Sequence, residues 1–432
     1  MTITATAFQN LQSHWALSAI PEADRIRAAE VVNERLVRQA VGRQITFSFA
    51  EDVADEGLLE RVALAYEMAA IEGLDALSRP DGGDNGLRGQ TAAASHHAFD
   101  IRRLAPIPEN TEERIFHVLQ LAAVAYCGDR WSDLRRWFTE NKAAIAVPSV
   151  ADVPWDRRLL YRLFECWVRL FRKDGWDDLD RIREIIAGLR EDQRTHEKAR
   201  LSNGSAVEDR AIALRLIGLY HWAKATEILA EYMLQGQSRT VFADLDKHFE
   251  SGIKAATASG DARHEVILRW LHTAGRIMVT NSLWWGTRTV IRRVPDFVKA
   301  LTKRAHRAMF ELLPPQRAAL LEQGLLDQAK TAIVIDMPTS GGKTLLAQFR
   351  ILQALNQFDA DGGWVAYVAP TRALTAQITR RLRRDFEPIG LRVEQLSGAI
   401  EVDAFEEELL TDQEKPFDVL VATPEKLSLV IR

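Results

Sequence analysis

Apolar and polar positions repeat along this chain with two different periods. Over residues 1 to about 300 the spacing is helical. Between Glu60 and Leu77, apolar Leu64, Met68, Ile71 and Leu74 fall at three- and four-residue steps, the rhythm of one helix face. The same steps predict helices over 115–126, 159–172, 179–189, 211–219 and 223–234. Residues 80–95 hold four glycines and few apolar side chains, which predicts a loop. From about Thr331 the period changes. Short β-branched runs over 331–336, 364–369, 391–395 and 417–422 predict strands, and helical patterns lie between them at 344–356, 372–386 and 402–410. Strands alternating with helices imply a parallel sheet covered on both faces. The expected architecture is therefore a mainly α region over 1–300, with a sub-boundary near 80–98, followed by an α/β domain over 301–432.

The helical region carries a weak repeat. Trp131, Trp176 and Trp222 stand 45 and 46 residues apart, and each is expected to open a helix after a short turn. Three residues on are Leu134, Leu179 and Ala225; six on are Trp137, Ile182 and Ile228. Such a period occurs in α-solenoids of stacked helical hairpins, and an irregular bundle fits the pattern equally well. The tryptophans read as wedges between helices rather than as ligand cages. A stacked helical surface of this kind would suit a protein partner.

Composition narrows the reading. Net charge is −4, so any contact with nucleic acid must come from a local basic strip and not from a global positive field. The two cysteines, Cys127 and Cys166, are too few for a disulfide framework or a cysteine-rich metal site and read as small buried side chains. The first residues show no secretory pattern, and no apolar run approaches the roughly 20 residues of a membrane helix. A cytoplasmic protein without a membrane partner is expected.

The chemistry concentrates after the first predicted strand, in Met337-Pro338-Thr339-Ser340-Gly341-Gly342-Lys343-Thr344. A loop that leaves a strand and feeds a helix N-terminus aims several backbone N–H groups at one point, where the helix dipole adds partial positive charge. Glycines let it curl around a phosphate. Lys343 would set an ammonium against the β- and γ-phosphates, and Thr344 would offer a hydroxyl to Mg²⁺. Met337 stands where the strict phosphate-loop pattern has its first glycine. Upstream, Pro314-Pro315-Gln316-Arg317 opens a helix expected to run from Ala318 to Ala329. The Gln316 amide can both donate to and accept from an adenine edge.

Two further bends follow strands. Pro370 breaks one strand and leaves Thr371 and Arg372 at its end; Pro424 does the same for Thr423 and Lys426. Strand ends on the carboxyl edge of a parallel sheet are where open α/β folds bind ligands. Threonine and cation contacts there would grip phosphate oxygens without reading sequence. Arg380, Arg381, Arg383 and Arg384 form a basic run behind the first bend, readable as a solvated helix face or as a channel rim. A second cluster, Trp284, Trp285, Arg288, Arg292, Arg293, Lys299, Lys303, Arg304 and Arg307, reads either as a single-strand surface or as a linker docked on the α/β domain.

Taken together these segments resemble the superfamily-two DExD/H-box helicases. Pro-Pro-Gln-Arg looks like their Q motif, 338–344 like motif I with its third and fourth positions exchanged, 367–377 like motif Ia and 421–427 like motif Ib. The Thr-Pro-Glu-Lys form is more typical of the DExH, Ski-like branch. Ser397-Gly398 sits where those proteins often have a backbone-contacting turn. The resemblance covers about 310–432. It implies a RecA-like domain binding ATP and Mg²⁺ through Gln316 and the 338–344 loop. It also implies DNA or RNA held by Pro370, Thr371, Arg372, Gly398, Thr423, Pro424 and Lys426. A long helical region ahead of such a motor resembles helicases of phage-defence or repair operons at fold level only. A P-loop NTPase of another class, or a degenerate motor serving as a scaffold, are the competing readings. Hydrolysis in this family needs the Asp-Glu pair of motif II and arginine fingers from a second RecA-like domain, and neither follows motif Ib here. The chain is thus expected to be part of a longer or split helicase. By itself it should show no ATPase above background, and a normal turnover rate dependent on Lys343 would overturn that.

Overall fold

The computed structural model describes residues 11–41, 53–77, 85–151, 153–200, 208–290, 292–306, 308–338, 341–396 and 417–430. The helix expected over 402–410, together with Thr339, Ser340, Ser397, Gly398 and Arg307, lies outside them. The chain divides into two compact units, Met1–Met233 with Gln237–Val279, and Leu234–Gly236 with Thr280–Arg432.

The first unit is helical: α1 (Glu22–Val41), α2 (Val53–Leu77), α3 (Asn85–Arg102), α4 (Thr111–Cys127), α5 (Trp131–Glu140), α6 (Trp155–Arg172), α7 (Trp176–Arg200), α8 (Glu208–Gln235), α9 (Val241–Ser259) and α10 (Ala262–Asn281), whose last turn enters the second unit. α4 shows how the sequence starts such an element. Asn110 accepts from the N–H groups of Glu112 (3.0 Å) and Glu113 (3.2 Å), and those two acids complement the dipole of the first turn.

Part of the expected loop at 80–95 is instead α3. Its low hydrophobicity reflects close helix contact. Thr91, Ala93, Ala94 and Ser95 are buried, and a Cβ at Gly73 of α2 would overlap Thr91 Oγ1. Small side chains there let two helices approach; the composition that suggests a loop is a packing surface. Buried Glu67 joins three helices, accepting from Arg102 (2.7 and 3.0 Å) and Gln120 (2.9 Å).

The tryptophan repeat holds for two of its three members. Trp131 and Trp176 open α5 and α7, but Trp222 lies inside a continuous α8, so the helices expected over 211–219 and 223–234 are one. Tyr220-His221 contains no glycine or proline to end a helix, and the chain continues through it. Trp222 is fully buried, as is Trp167, whose indole N–H donates to Thr226 Oγ1 of α8 at 2.9 Å. Both cysteines are buried and unbridged, and burial pushes both thiols up, which keeps them inert. No described helix is long and apolar enough to cross a membrane.

The second unit contains α11 (Val294–Thr302), α12 (Pro314–Leu321), α13 (Lys343–Gln357), β1 (Val365–Val368), α14 (Arg372–Phe386), β2 (Val393–Gln395), β3 (Val419–Ala422) and α15 (Pro424–Val430). α12 starts at its proline pair and stops at Leu321, short of the expected Ala329, and Gly324 follows in the left-handed region at φ +66. The sheet is parallel with order β1-β3-β2. Central β3 is apolar throughout because both faces are covered. Val419 and Val421 enter the larger core with Phe297, Phe349 and Phe386, while Leu420 and Ala422 pack with Leu396 and Phe417. A mainly α N-terminal region is thus followed by an α/β RecA-like domain with a parallel sheet.

One expected strand does not join that sheet. Residues 331–336 pair with none of the three strands. Ile333 and Ile335 rest on the core while Val334 between them is 95% exposed. Alternation lays one side of the segment on the core, but a ladder also needs a neighbour's backbone, which local pattern cannot supply.

A buried carboxylate fastens this unit. Asp385, fully buried near the end of α14, accepts from Gln348 Nε2 of α13 (2.8 Å) and pairs with Arg304 (2.6 Å) and Arg384 (2.9 Å). The Asp385→Ala variant would strand buried donors and should lower stability of the unit by about 3–5 kcal/mol, read from urea unfolding of the full chain.

Candidate nucleotide and nucleic-acid site

The phosphate loop takes its shape from three neighbours. Gly342, at φ +78, is the left-handed N-cap of α13. The Gly341 N–H donates to Pro338 O (3.0 Å), closing the loop on itself. Met337 is buried beneath it, with Cε 3.2 Å from where a Gly341 Cβ would fall, so the residue that departs from the strict pattern packs where the loop curls. Gln316 braces the other side. Its Oε1 accepts from Leu313 N–H (3.0 Å), and its Nε2 donates to Gly342 O (3.4 Å). At 2% exposure its amide is turned onto the loop backbone, a role beyond the adenine contact expected of it.

Lys343 begins α13 with an exposed side chain that has no hydrogen bond or ion pair among the described residues. An uncompensated ammonium at a helix N-terminus, beside a loop with room for no side chain, suits a polyphosphate. Half-buried Thr344 follows it in the first turn.

The two proline bends come together through strand register. β1 and β3 pair in parallel with Val368 opposite Ala422, and the Ala369 N–H extends the ladder to Ala422 O at 3.0 Å. Pro370-Thr371 and Thr423-Pro424 therefore leave the same edge of the sheet from adjacent strands, about 4.8 Å apart. Each threonine caps the helix that follows. Thr371 Oγ1 accepts from Leu374 N–H (3.3 Å) and Thr423 Oγ1 from Lys426 N–H (3.4 Å). A hydroxyl that accepts a cap bond still has its proton to donate, and neither donates to a described residue. Pro370, Thr371, Arg372 and Pro424 are exposed and Thr423 is half-buried.

Lys426 differs. It is 3% exposed and engaged within the protein, so the helix turn that presents Thr423 tucks this cation inward. The basic run also splits. Arg383 donates to Val393 O (2.8 Å) and pairs with Glu394 (2.7 Å), and Arg384 pairs with Asp385, while Arg380 is exposed. In the upstream cluster, Arg293 reaches Asn356 (3.1 Å) and Asp359, Arg292 pairs with Asp359 (3.2 Å), and Arg288 stacks on Trp285 (4.0 Å). Phe297 packs edge-on against Phe349 (5.5 Å) and Phe386 (5.4 Å). Arg292 and Arg293, with Arg304 paired to Asp385, thus fasten the segment around α11 to the α/β core, while Lys299 and Lys303 stay exposed.

The DEAD/DEAH box helicase family model matches residues 314–432. This part of the chain is similar to a DEAD/DEAH box helicase domain. It is similar to the ATP-dependent DNA helicase Hel308 of Pyrococcus horikoshii, 32% identical over 140 residues that make up 32% of this chain and 17% of that protein. The Hachiman protein HamB of Bacillus cereus is 35% identical over 99 residues, 23% of this chain and 8% of that one. Activating signal cointegrator 1 complex subunit 3 of Homo sapiens is 34% identical over 106 residues, 23% of this chain and 4% of that protein. The chain spans less than a fifth of the length of each. At family level the resemblance is to DEAD/DEAH box helicases, among them the ATP-dependent DNA helicase Hel308.

Sequence reading missed Asp385 and Gln348 of the α/β domain. Their only signal was an acid and an amide on otherwise apolar helix faces. The loop geometry carries a prediction. A Cβ at Gly342 would meet the Gln316 amide in a backbone region that side chains avoid. Gly342→Ala should weaken binding of an ATP analogue at least tenfold. Adding Gln316→Ala should recover only part of that loss, because the φ strain remains. Unchanged affinity in Gly342→Ala, measured by calorimetry, would contradict the loop assignment.

Proposed function

We propose that residues 301–432 form the nucleotide- and polynucleotide-binding part of an ATP-driven helicase or translocase, with the helical region over 1–300 as a separate domain offering a surface to a protein partner. The loop 338–344, including Thr339 and Ser340, wraps the triphosphate. Lys343 contacts the β- and γ-phosphates, Thr344 ligates Mg²⁺, and Gln316 braces the loop while reaching the adenine. Mg²⁺ bound there would neutralise phosphate charge. The residues fit both groups: an uncompensated Lys343, a hydroxyl beside it, and two glycines that let the loop curl tightly against Met337 and Gln316.

A single strand of DNA or RNA lies across the bends. Thr371 and Thr423 donate hydroxyl protons to phosphate oxygens, Arg372 supplies charge, and Pro370 and Pro424 hold the turns. By the family resemblance, Gly398 also contacts the strand backbone. Lys426 acts from beneath the bend by fixing its shape. The observation that carries this reading is the β1–β3 register, which puts two threonine-capped bends side by side. Contacts of this kind hold a backbone without regard to sequence, as a translocating motor requires.

Two variants separate the halves of the proposal. Lys343→Ala should abolish binding of a labelled ATP analogue while leaving oligonucleotide affinity within about twofold. Arg372→Ala, with Thr371→Val, should weaken oligonucleotide binding, leave nucleotide affinity within about twofold, and lower the salt slope of oligonucleotide binding by about 0.7. Nucleotide binding that survives Lys343→Ala would refute the loop assignment, and oligonucleotide binding indifferent to Thr371 and Arg372 would refute the bend assignment.

A further inference from the structure

We propose that a cleft lined by Lys299, Lys303 and Arg384 is a second phosphodiester-binding site. It would be reached by the same single strand along an exposed, acid-free stripe on α14 that carries Arg380 and Arg384. This rests on the reading that a strand binds at the 370–372 bend.

α14 begins at that bend with Arg372 and runs 15 residues, about 22 Å. Ala373, Gln377, Arg380 and Arg384 follow one another at steps of four, three and four, so they form one stripe, and all four are exposed. The stripe has no acid and ends in a cleft of about 630 Å³ beside the end of α11. Lys299 and Lys303 stand there one turn apart, about 6 Å, and both are exposed. The cleft lining carries Lys299, Lys303, Arg304 and Arg384 against Asp296 and Asp385, four cations to two carboxylates. Asp385 is shared by Arg304 and Arg384, so its one charge faces two guanidinium groups. Burial, opposed by Asp385 and joined by Arg384 and Arg381, holds Arg304 below its ordinary pKa. Cations spaced by one helix turn on two elements suit a polyanion with regularly spaced charges. A compact acidic segment would need side chains reaching both rows.

The test uses the full chain, single-stranded DNA and RNA oligonucleotides of increasing length, and fluorescence anisotropy across a salt series. The wild type should gain affinity in a step once an oligonucleotide is long enough to span α14. Lys299→Ala/Lys303→Ala, two exposed positions that leave the core intact, should remove that step. It should weaken long oligonucleotides roughly five- to tenfold and lower the salt slope by about 1.4, or 0.7 for each lost contact. Short oligonucleotides should bind the variant as they bind wild type, and Arg372→Ala should weaken both lengths. If the double variant binds every length as wild type does while Arg372→Ala does not, the cleft proposal fails and the bend reading stands. If Arg372→Ala has no effect on any length, the reading beneath it fails. If polyglutamate displaces the long oligonucleotide from the wild type and loses that ability in the double variant, the cleft takes acidic protein segments and the proposal is overturned.

Discussion

The parallel pairing of β1 on β3 is the constraint on which the candidate site depends. Two short strands, each ending in a proline bend, can present those bends to one ligand only if their registers agree. Val368 stands opposite Ala422 and the ladder closes one residue later, so they do. The pairing holds because β3 is buried on both faces, with Val419 and Val421 in one core and Leu420 and Ala422 in the other. A slip of one residue would exchange those faces and separate the two threonines. The apolar packing of four consecutive residues thus fixes the spacing of polar groups that lie outside it.

The same economy appears at the phosphate loop. No sheet partner holds residues 331–336 among the described strands; the loop is shaped instead by what lies against its two ends. Met337 fills the space below Gly341, and Gln316 reaches from α12 to Gly342. Behind it, α13 is secured to α14 by the buried Asp385 and its three donors and to α11 by Phe297. A carboxylate without water is tolerable because two guanidinium groups and an amide saturate it, and this makes the helix carrying Lys343 a rigid support.

Much of this was legible in the sequence, and the reasons are local. The helices at 344–356 and 372–386 and three of the four strands follow from period and from proline and threonine stops. Gly-Gly-Lys-Thr and the two proline bends announce their chemistry by residue type. What escaped depended on contacts between distant residues. The 85–95 stretch looked like a loop because glycine and alanine are also what close helix packing requires. Trp222 looked like the start of a hairpin because its spacing matched, yet nothing in Tyr220-His221 stops a helix. The inward turn of Lys426 and the pairing of Arg383 and Arg293 with acids 11 and 66 positions away have no signature in a one-dimensional pattern. Charge runs overstate available charge until their counter-ions are known.

The central claim is that two ligands meet this domain at separate, named backbone segments. Hydrogen exchange of the full chain tests it most directly, with a magnesium-bound ATP analogue and a single-stranded oligonucleotide added separately. The account predicts that the nucleotide slows exchange across 337–346 and that the oligonucleotide slows it across 369–375 and 422–428. Protection by either ligand confined to the helical unit, or none at these segments at saturating ligand, would contradict it.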